Sequence, residues 1–292
     1  MPTIQAPARI AISNILLTTD FSVASQAAVP YAAALARLYG AKLFIAHAVG
    51  PEPNLGVPLD RLPHEFDKDW REAEQNLRQF TDSKLLTGLS HEQFLERGDL
   101  WEVTSSIIAE CHIDLLVLGT HGRQGLKKLV LGSAAEKIFR QAPCPVLTVG
   151  PKATGKPHKP RHILFPTDLS PASLNAMPYA LSLAEENEAT VTFLNLVPLI
   201  PWQEQTAVEE NTRKRLESLI PEEAKVWCRP KFEVHFEFPV EGVLFFAEEH
   251  NVDLIVMGVH KPTGASWTAH LPWTVASEIV SDAPCPVLTV RG

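Results

Sequence analysis

The sequence is poor in the features that mark several classes of protein. Only four cysteines occur among 292 residues, at positions 111, 144, 228 and 285, without C-x-x-C spacing and without histidines at zinc-ligand spacing. That pattern argues against a metal site and a disulfide framework, and it predicts reduced, mostly buried thiols. No apolar run approaches the roughly 18–20 residues that a membrane span requires, so we expect no membrane partner.

An excess of positive charge is also lacking, since the formal net charge is −8. Nucleic acids are bound through clustered Lys and Arg, and we therefore expect no nucleic acid partner. The first twelve residues contain no apolar stretch followed by a small-residue cleavage site, which predicts a cytoplasmic rather than a secreted protein. Apolar residues make up 45% and charged residues 21%, which is typical of packed globular domains.

The chain repeats itself. The string APCPVLTV at residues 142–149 recurs unchanged at residues 283–290, which is 141 positions later. NILLTTDFS at residues 14–22 corresponds to HILFPTDLS at residues 162–170, which is 148 positions later. The offsets differ only by lengths typical of loop insertions, so the two halves are expected to share one fold.

A third repeated string and a linker locate the boundary between the halves. IDLLVLG at residues 113–119 corresponds to VDLIVMG at residues 252–258. Residues 150–161 are rich in Gly, Pro and basic residues and have no apolar periodicity, as linkers do. We predict two domains, residues 1–155 and residues 156–292.

Hydrophobic periodicity in the first half predicts strands that alternate with helices. Short apolar runs predict strands, at residues 13–18, 42–49, 93–97, 115–118 and 145–149. Longer amphipathic or Ala-rich stretches predict helices, at residues 22–39, 65–86, 101–111 and 132–141. This alternation implies the α/β class, with a Rossmann-like, five-stranded parallel sheet and helices on both faces in each half. Ligands of such sheets bind beyond the carboxyl ends of the strands.

A glycine motif follows the fourth predicted strand. Residues 119–133 contain G-x2-G, nine residues, and then G-S at the start of a helix. Gly119 and Gly122 permit a close backbone approach and a set of amides that binds anions, while the helix start at Gly132 and Ser133 favours a phosphate. Neither the Walker A motif nor G-x-G-x-x-G is present. The spacing therefore predicts a phosphate site different from those two.

With these motifs the chain resembles the universal stress protein family, and specifically its tandem members. The resemblance covers nearly all of both halves, including the opening strand, the end of the second strand at His47, the glycine motif and the closing PCPVL. It implies an adenine nucleotide alpha hydrolase-like fold in each half. In the ATP-binding branch of the family these motifs hold ATP, so the resemblance implies an ATP-binding protein with a regulatory or stress-response role, with or without Mg²⁺.

The resemblance also implies which residues contact the nucleotide. They are Thr18, Thr19, Asp20 and Ala48 at the adenosine, Leu118 and Gly119 near the ribose, and Gly122, Arg123, Gly132, Ser133 and Ala134 around the phosphates. Thr18 departs from the proline usual in the family, which the second half keeps as Pro166; this position contributes mainly backbone. Capping of the following helix is the alternative role for Asp20, and it is the role expected for Asp168.

The second half departs further from the motif. Its loop, residues 258–274, is two residues longer, with Lys261 in the place of Gly122 and Trp273 in the place of Gly132. A Trp side chain occupies the volume that a phosphate would need. We therefore expect nucleotide in the first half only.

Two other functions stay open. One is a slow ATP hydrolase or transferase that uses the same pocket, although His121 is the only titratable residue within the motif and no clear general base is present. The other is a structural tandem whose second domain binds a different, apolar ligand near Trp267 and Trp273.

The identical terminal strands carry a prediction about assembly. A bare apolar strand at a sheet edge invites pairing with another strand. We expect residues 145–149 and 286–290 to pair, so that the two halves form an intramolecular pseudo-dimer around a pseudo-twofold axis. The chain would then be a monomer or a looser homodimer.

Overall fold

The computed structural model describes five stretches of the chain, residues 10–50, 62–120, 133–153, 159–259 and 273–291. In the first half they contain strands β1 (Asn14–Thr18), β2 (Lys42–Val49), β3 (His91–Arg97), β4 (Leu115–Gly119) and β5 (Val146–Val149). The helices of this half are α1 (Val23–Tyr39), α2 (Leu62–Thr81), α3 (Leu100–Glu110) and α4 (Ser133–Gln141).

The second half repeats the order of the strands, but its first and second strands are each followed by two helices. Its strands are β6 (His162–Pro166), β7 (Thr190–Val197), β8 (Lys231–Phe236), β9 (Leu254–Val259) and β10 (Val287–Arg291). Its helices are α5 (Pro171–Leu174), α6 (Met177–Asn187), α7 (Trp202–Leu219), α8 (Glu222–Trp227), α9 (Pro239–Glu249) and α10 (Trp273–Asp282). None of the helices in the described stretches has both the length and the apolar composition needed to cross a membrane.

All ten strands belong to one sheet, in the order β3-β2-β1-β4-β5-β10-β9-β6-β7-β8. Within each half the strands are parallel, as predicted, and the order in one half mirrors that in the other. The halves meet where β5 and β10 run antiparallel, with Leu147 opposite Leu288. The predicted contact between the two terminal strands is therefore confirmed, and each five-stranded sheet continues into the other.

Alternating side chains along the strands form a separate core on each face of the sheet. On one face Leu17 of β1 packs in a cluster with residues of α1 and α6. On the other face Leu16 of β1 packs in a cluster with residues of α3, α4, α9 and α10. Because both faces are covered, the central strands are almost continuously apolar, as is typical of parallel sheets.

Each half also reaches across the junction to a helix of the other. The guanidinium of Arg291, the last residue of β10, donates to the carbonyl of Ala142 at 3.3 Å and to that of Arg140, at the end of α4. Lys152, after β5, forms a 2.7 Å ion pair with Asp282 at the end of α10. A cation is favourable at a helix C-terminus, so these contacts add to the strand pairing that joins the halves.

The predicted helix over residues 65–86 is wrong at its end. Helix α2 stops at Thr81, and a separate 3-10 turn, Lys84–Leu86, follows. The Ser83 hydroxyl accepts a hydrogen bond from the N–H of Leu85 and so starts the new turn. Serine commonly competes with the helical backbone in this way, which amphipathic periodicity does not register.

The four cysteines are free thiols, as expected, and three of them are buried. Burial raises the pKa of Cys144 and of Cys228 to about 11, and that of Cys285 to about 12. Burial also raises the pKa of the half-buried Cys111. Only thiolates react rapidly with disulfide reagents. Because the pKa of all four thiols is raised, the exposure of each thiol decides which one reacts first.

We expect a disulfide reagent at pH 8 to label one thiol of the native protein, that of Cys111. The other three should react only in denaturant. Time-resolved thiol titration would measure this, and Cys111→Ser is the matched control because it should remove the fast phase. Fast labelling of two or more thiols in the native protein would contradict the burial of Cys144, Cys228 and Cys285.

Candidate functional site

The carboxyl ends of β1, β2 and β4 bring several of the predicted nucleotide residues to one edge of the sheet. Strand β1 lies between β2 and β4, with Thr18 opposite Ala46 in β2. Ala48 lies two residues further along β2, and Leu118 and Gly119 end β4. The structure thus brings Thr18, Thr19, Ala48, Leu118 and Gly119 to the crevice that a parallel sheet offers to ligands.

Asp20 lies in the turn after β1, and the other predicted residues divide into two groups. Ser133 and Ala134 are the first two residues of α4, so they lie at a helix N-terminus as predicted. Gly122, Arg123 and Gly132 lie outside the described residues. Their part in the phosphate site stays a prediction from the glycine spacing.

The turn after β1 is held by a set of hydrogen bonds. The N–H of Thr19 donates to the carbonyl of Ala46 at 2.9 Å, and its hydroxyl lies 3.0 Å from that of Ser25. The Asp20 carboxylate accepts from the N–H of Ser22 at 3.0 Å. These bonds fix the backbone that connects the sheet edge to α1.

Serines, and not aspartates, cap helix α1 after β1 and helix α5 after β6. Ser22 accepts from the N–H of Ser25, and Ser170 accepts in the same way from that of Ser173. Asp168 accepts from the N–H of the capping residue itself, as Asp20 does in the first half. The expectation that Asp168 caps the helix is therefore wrong, because the aspartate lies two residues before the cap and orients it.

The cap gives a stability prediction. Ser22→Ala removes the acceptor for a helical N–H and should lower the free energy of unfolding by about 1 kcal/mol. Urea denaturation would measure it. Ser218→Ala, on the exposed face of α7, is the control and should change the free energy by less than about 0.5 kcal/mol. Equal effects in the two variants would show that the Ser22 cap does not stabilise α1.

The residue after each aspartate adopts a left-handed backbone conformation. Phe21 has a φ of 61° and Leu169 has a φ of 65°, which is uncommon for residues other than glycine. Strained residues often mark functional sites. Here the same strain occurs in both halves, so it belongs to the turn of the shared fold and does not by itself distinguish one site.

Gly119 allows close packing between β4 and α1. A β-carbon there would lie 2.4 Å from the carbonyl oxygen of Ala24 and 2.7 Å from its carbonyl carbon. Gly258 has the same surroundings, with Ala172 O at 2.3 Å. The close approach predicted from the sequence is thus made by helix backbone, and this alone requires glycine at both positions.

His47 is a residue near the site that the sequence analysis did not single out as functional. Its Nδ1 donates to the carbonyl of Thr19 at 2.7 Å, and its ring centroid lies 4.4 Å from that of Phe21, with the two rings tilted by 38°. In the second half the Asn195 amide donates to the Thr167 carbonyl, also at 2.7 Å. Each side chain thus connects its strand, β2 or β7, to the turn that follows the preceding strand. The recurring hydrogen bond could not be predicted because His and Asn share no sequence pattern.

The walls of the crevice differ between the halves in size and polarity. Thr18 lies opposite Ala46 in the first half, and Pro166 lies opposite Leu194 in the second. Thr18 is therefore equivalent to Pro166, and Ala46 is equivalent to Leu194. Continuing along the same strands and helices gives further pairs of equivalent residues, in which the first-half residue comes first: Ala48 and Leu196, Thr104 and Val243, Thr120 and Val259. The first half therefore has the smaller and more polar walls.

In the second half these larger side chains nearly fill the crevice. The cavity that remains has a volume of about 70 Å³ and is lined by residues that include Leu194, Leu196, Val243 and Met257. Pockets for small molecules usually measure roughly 300–1,000 Å³. Among the described residues, therefore, the cavity at this edge of the second half is smaller than a typical small-molecule pocket.

Thr104 carries an unsatisfied polar group in the first half. Its side chain is fully buried, and its hydroxyl has no hydrogen-bond partner among the described residues. A buried hydroxyl without a partner is unfavourable by about 1–3 kcal/mol, so such groups are rare and need an explanation. The equivalent Val243 has no such group.

Comparison with known proteins gives the same family for both halves. A model of the universal stress protein family matches residues 11–150 and again residues 159–291. A universal stress protein of Mycolicibacterium smegmatis is 26% identical, over 95% of this chain and 97% of its own length. A universal stress protein of Thermus aquaticus is 35% identical over 47% of this chain and 97% of its own length. A single copy thus spans about one half of this chain.

A solved structure of the same family has the same fold over nearly the whole chain. The crystal structure of a universal stress protein from Archaeoglobus fulgidus covers 95% of this chain and 98% of its own, with a TM-score of 0.70 and 18% identity.

Proposed function

Because the chain belongs to the universal stress protein family, we propose that it binds one ATP, in its first half only, and that the bound nucleotide governs a regulatory role in the stress response. The observation that carries the proposal is the contrast between the two crevices. Ala46, Ala48 and Thr104 are the smaller residues of the first half, where the second half has Leu194, Leu196 and Val243. The fold is common to both halves, but these walls are not.

The residues of the first half suit the parts of ATP in the order that the strands present them. Thr18, Thr19, Asp20 and Ala48 would contact the adenosine, and Leu118 and Gly119 the ribose. Around the phosphates we assign Gly122, Arg123, Gly132, Ser133 and Ala134. The start of α4 supports this assignment, because unpaired N–H groups and the helix dipole favour anions. ATP bound there, with or without Mg²⁺, would supply the charge and the ligand-dependent contacts of a regulatory switch.

Enzymatic turnover is the alternative use of the same site. A slow ATP hydrolase or transferase would need a group that activates the attacking nucleophile. His121 lies outside the described residues, and the role of Asp20 as acceptor for the Ser22 N–H favours positioning over proton transfer. Release of phosphate over hours by the purified chain, proportional to protein concentration and lost in Gly132→Trp, would favour the enzyme.

Titration calorimetry on the full chain, freed of bound nucleotide, tests the proposal. We expect one ATP per chain. Gly132→Trp, which copies the second half, should abolish binding, because the indole takes the volume of a phosphate. Cys144→Ser is the control and should bind as the unmodified chain does. Two ATP per chain, or equal loss in both variants, would overturn the proposal.

For the assembly we propose two domains, residues 1–155 and residues 156–292, that act as an intramolecular pseudo-dimer in the cytoplasm. The antiparallel register of β5 and β10 supports this, since it satisfies one edge strand of each half with the other. Light scattering during size-exclusion chromatography should give the mass of one chain. A stable dimer at micromolar concentration would instead favour the looser homodimer.

A further inference from the structure

A deep groove lies between the two halves, on the face of the sheet that carries α1 and α6. Its volume is about 610 Å³, within the range of pockets that bind small molecules. Side chains of β5 and β10 form its floor, and helix residues form its walls; they include Tyr31, Leu35, Leu147, Tyr179, Leu183 and Leu288. No residue assigned to the nucleotide takes part in it.

The groove follows from the way in which the two sheets join. Helix α1 packs on β4, and α6 packs on β9, with β5 and β10 between these strands. Strands in a sheet are ~4.8 Å apart, so β4 and β9 are separated by about 14 Å. Packed helices approach to about 8–10 Å, and α1 and α6 therefore cannot close over the junction. On the opposite face, residues of α4 and α10 belong to the same core cluster as Val146 of β5 and Val287 of β10.

The two helices present equivalent tyrosines to the groove. Tyr31 and Tyr179 occupy matching positions in the repeated string PYA, and both side chains are half-buried. Burial raises the pKa of each phenol, so both are neutral hydrogen-bond donors at physiological pH. Apolar surface with a few polar groups is typical of small-molecule sites.

The charged groups along the groove are not balanced. One carboxylate, that of Asp253, lines the groove together with two cations; it accepts from the backbone N–H groups of Arg161 and His162, at 2.8 and 3.0 Å. Arg37 donates to the carbonyls of Leu85 and Thr87. Both Arg37 and Lys159 are exposed, and neither forms an ion pair with a residue in the described part of the chain. An anionic group at the mouth of the groove would complement these two cations.

We propose that the groove between α1 and α6 is a second ligand site, which binds a small amphipathic anion by its alkyl or aromatic body while Arg37 and Lys159 attract its acidic head. Charge argues against the chain's own segments as occupants. Residues 1–9 contain Arg9 and no acidic residue, and residues 154–158 contain Lys156 and no acidic residue. Both would place further positive charge beside Arg37 and Lys159.

The test uses the full chain with anilinonaphthalene sulfonate as a fluorescent probe and decanoate, decanol and decylamine as competitors. We expect saturable probe binding that decanoate displaces most strongly and decylamine least. Arg37→Gln combined with Lys159→Gln should weaken decanoate about tenfold and leave decanol unchanged. The matched control is Lys214→Gln with Arg215→Gln, which removes two exposed charges of α7 and should leave decanoate binding unchanged.

A second pair of variants locates the ligand. Ala34→Trp fills the groove from α1 and should abolish displacement by decanoate, whereas Ala27→Trp, on the exposed side of the same helix, should preserve it. Circular dichroism would verify folding, and Ala34→Leu replaces Ala34→Trp if the larger side chain prevents it. Unchanged binding in the folded Ala34 variant would overturn the proposal. So would strong binding that appears only after deletion of residues 1–9, or a dimer that Ala34→Trp dissociates, because either result gives the groove another occupant.

Discussion

Gly119→Ala should lower the free energy of unfolding by about 3 kcal/mol or more, although it adds only one carbon atom. The new β-carbon would meet the backbone of Ala24 at 2.4 Å, and no rotamer change can relieve a contact with backbone. Helix α1 would have to move away from β4, which would break the hydrogen bonds of the turn after β1. Urea denaturation would measure the loss, provided that the transition is two-state.

Gly50→Ala is the control for this prediction. The nearest atom to a β-carbon at Gly50 is the carbonyl oxygen of Gly98, at an ordinary 3.9 Å, so the change should be nearly neutral. Gly258→Ala should be as harmful as Gly119→Ala, because its β-carbon would lie 2.3 Å from Ala172 O. Equal stability of the Gly119 and Gly50 variants would contradict the close packing of β4 against α1.

Ala48→Leu should weaken ATP binding by about tenfold to a hundredfold while leaving the fold intact. The substitution copies Leu196 of the second half and places three more carbon atoms in the crevice, where overpacking is unfavourable by about 1–3 kcal/mol. Ala48 is only half-buried, so the sheet can accept the larger side chain. Titration calorimetry on the full chain would give the affinity.

The reciprocal variant distinguishes an effect of the crevice wall on ATP binding from an effect on the stability of the fold. Leu196→Ala should keep one ATP per chain, because the second half would still have Lys261 and Trp273 in its loop. Unchanged affinity in Ala48→Leu would mean that the nucleotide does not approach the end of β2. A loss of ATP in Leu196→Ala equal to that in Ala48→Leu would mean that both variants act through stability alone.

Bound ATP should also raise the melting temperature of the chain. A ligand that binds only the folded state stabilises it by about 2.7 kcal/mol at a hundredfold excess over its Kd. Decanoate in the groove should add to this effect, since no residue assigned to the nucleotide lines the groove. Additivity would show that the two sites are independent.

Local patterns in the sequence predicted most of the fold. Strand β2 has the bounds predicted for it, residues 42–49, because Gly40 ends the preceding helix and Gly50 opens the following loop. The pairing of β5 with β10 was predictable from their identical strings, since like edges of like sheets can satisfy each other. The break after α2 was not, because one serine hydroxyl decides it.

By itself the sequence determined the repeat, the α/β class, the family and the loop of the first half that keeps the glycine spacing, because each of these depends on residues close together in the chain. Only the tertiary structure decided that helix backbone requires Gly119, that Ala48 and Thr104 stand where Leu196 and Val243 close the other crevice, and that α1 and α6 leave a groove at the junction. These features depend on the register of neighbouring strands and on the spacing of helices above them, which bring together residues that are distant in sequence.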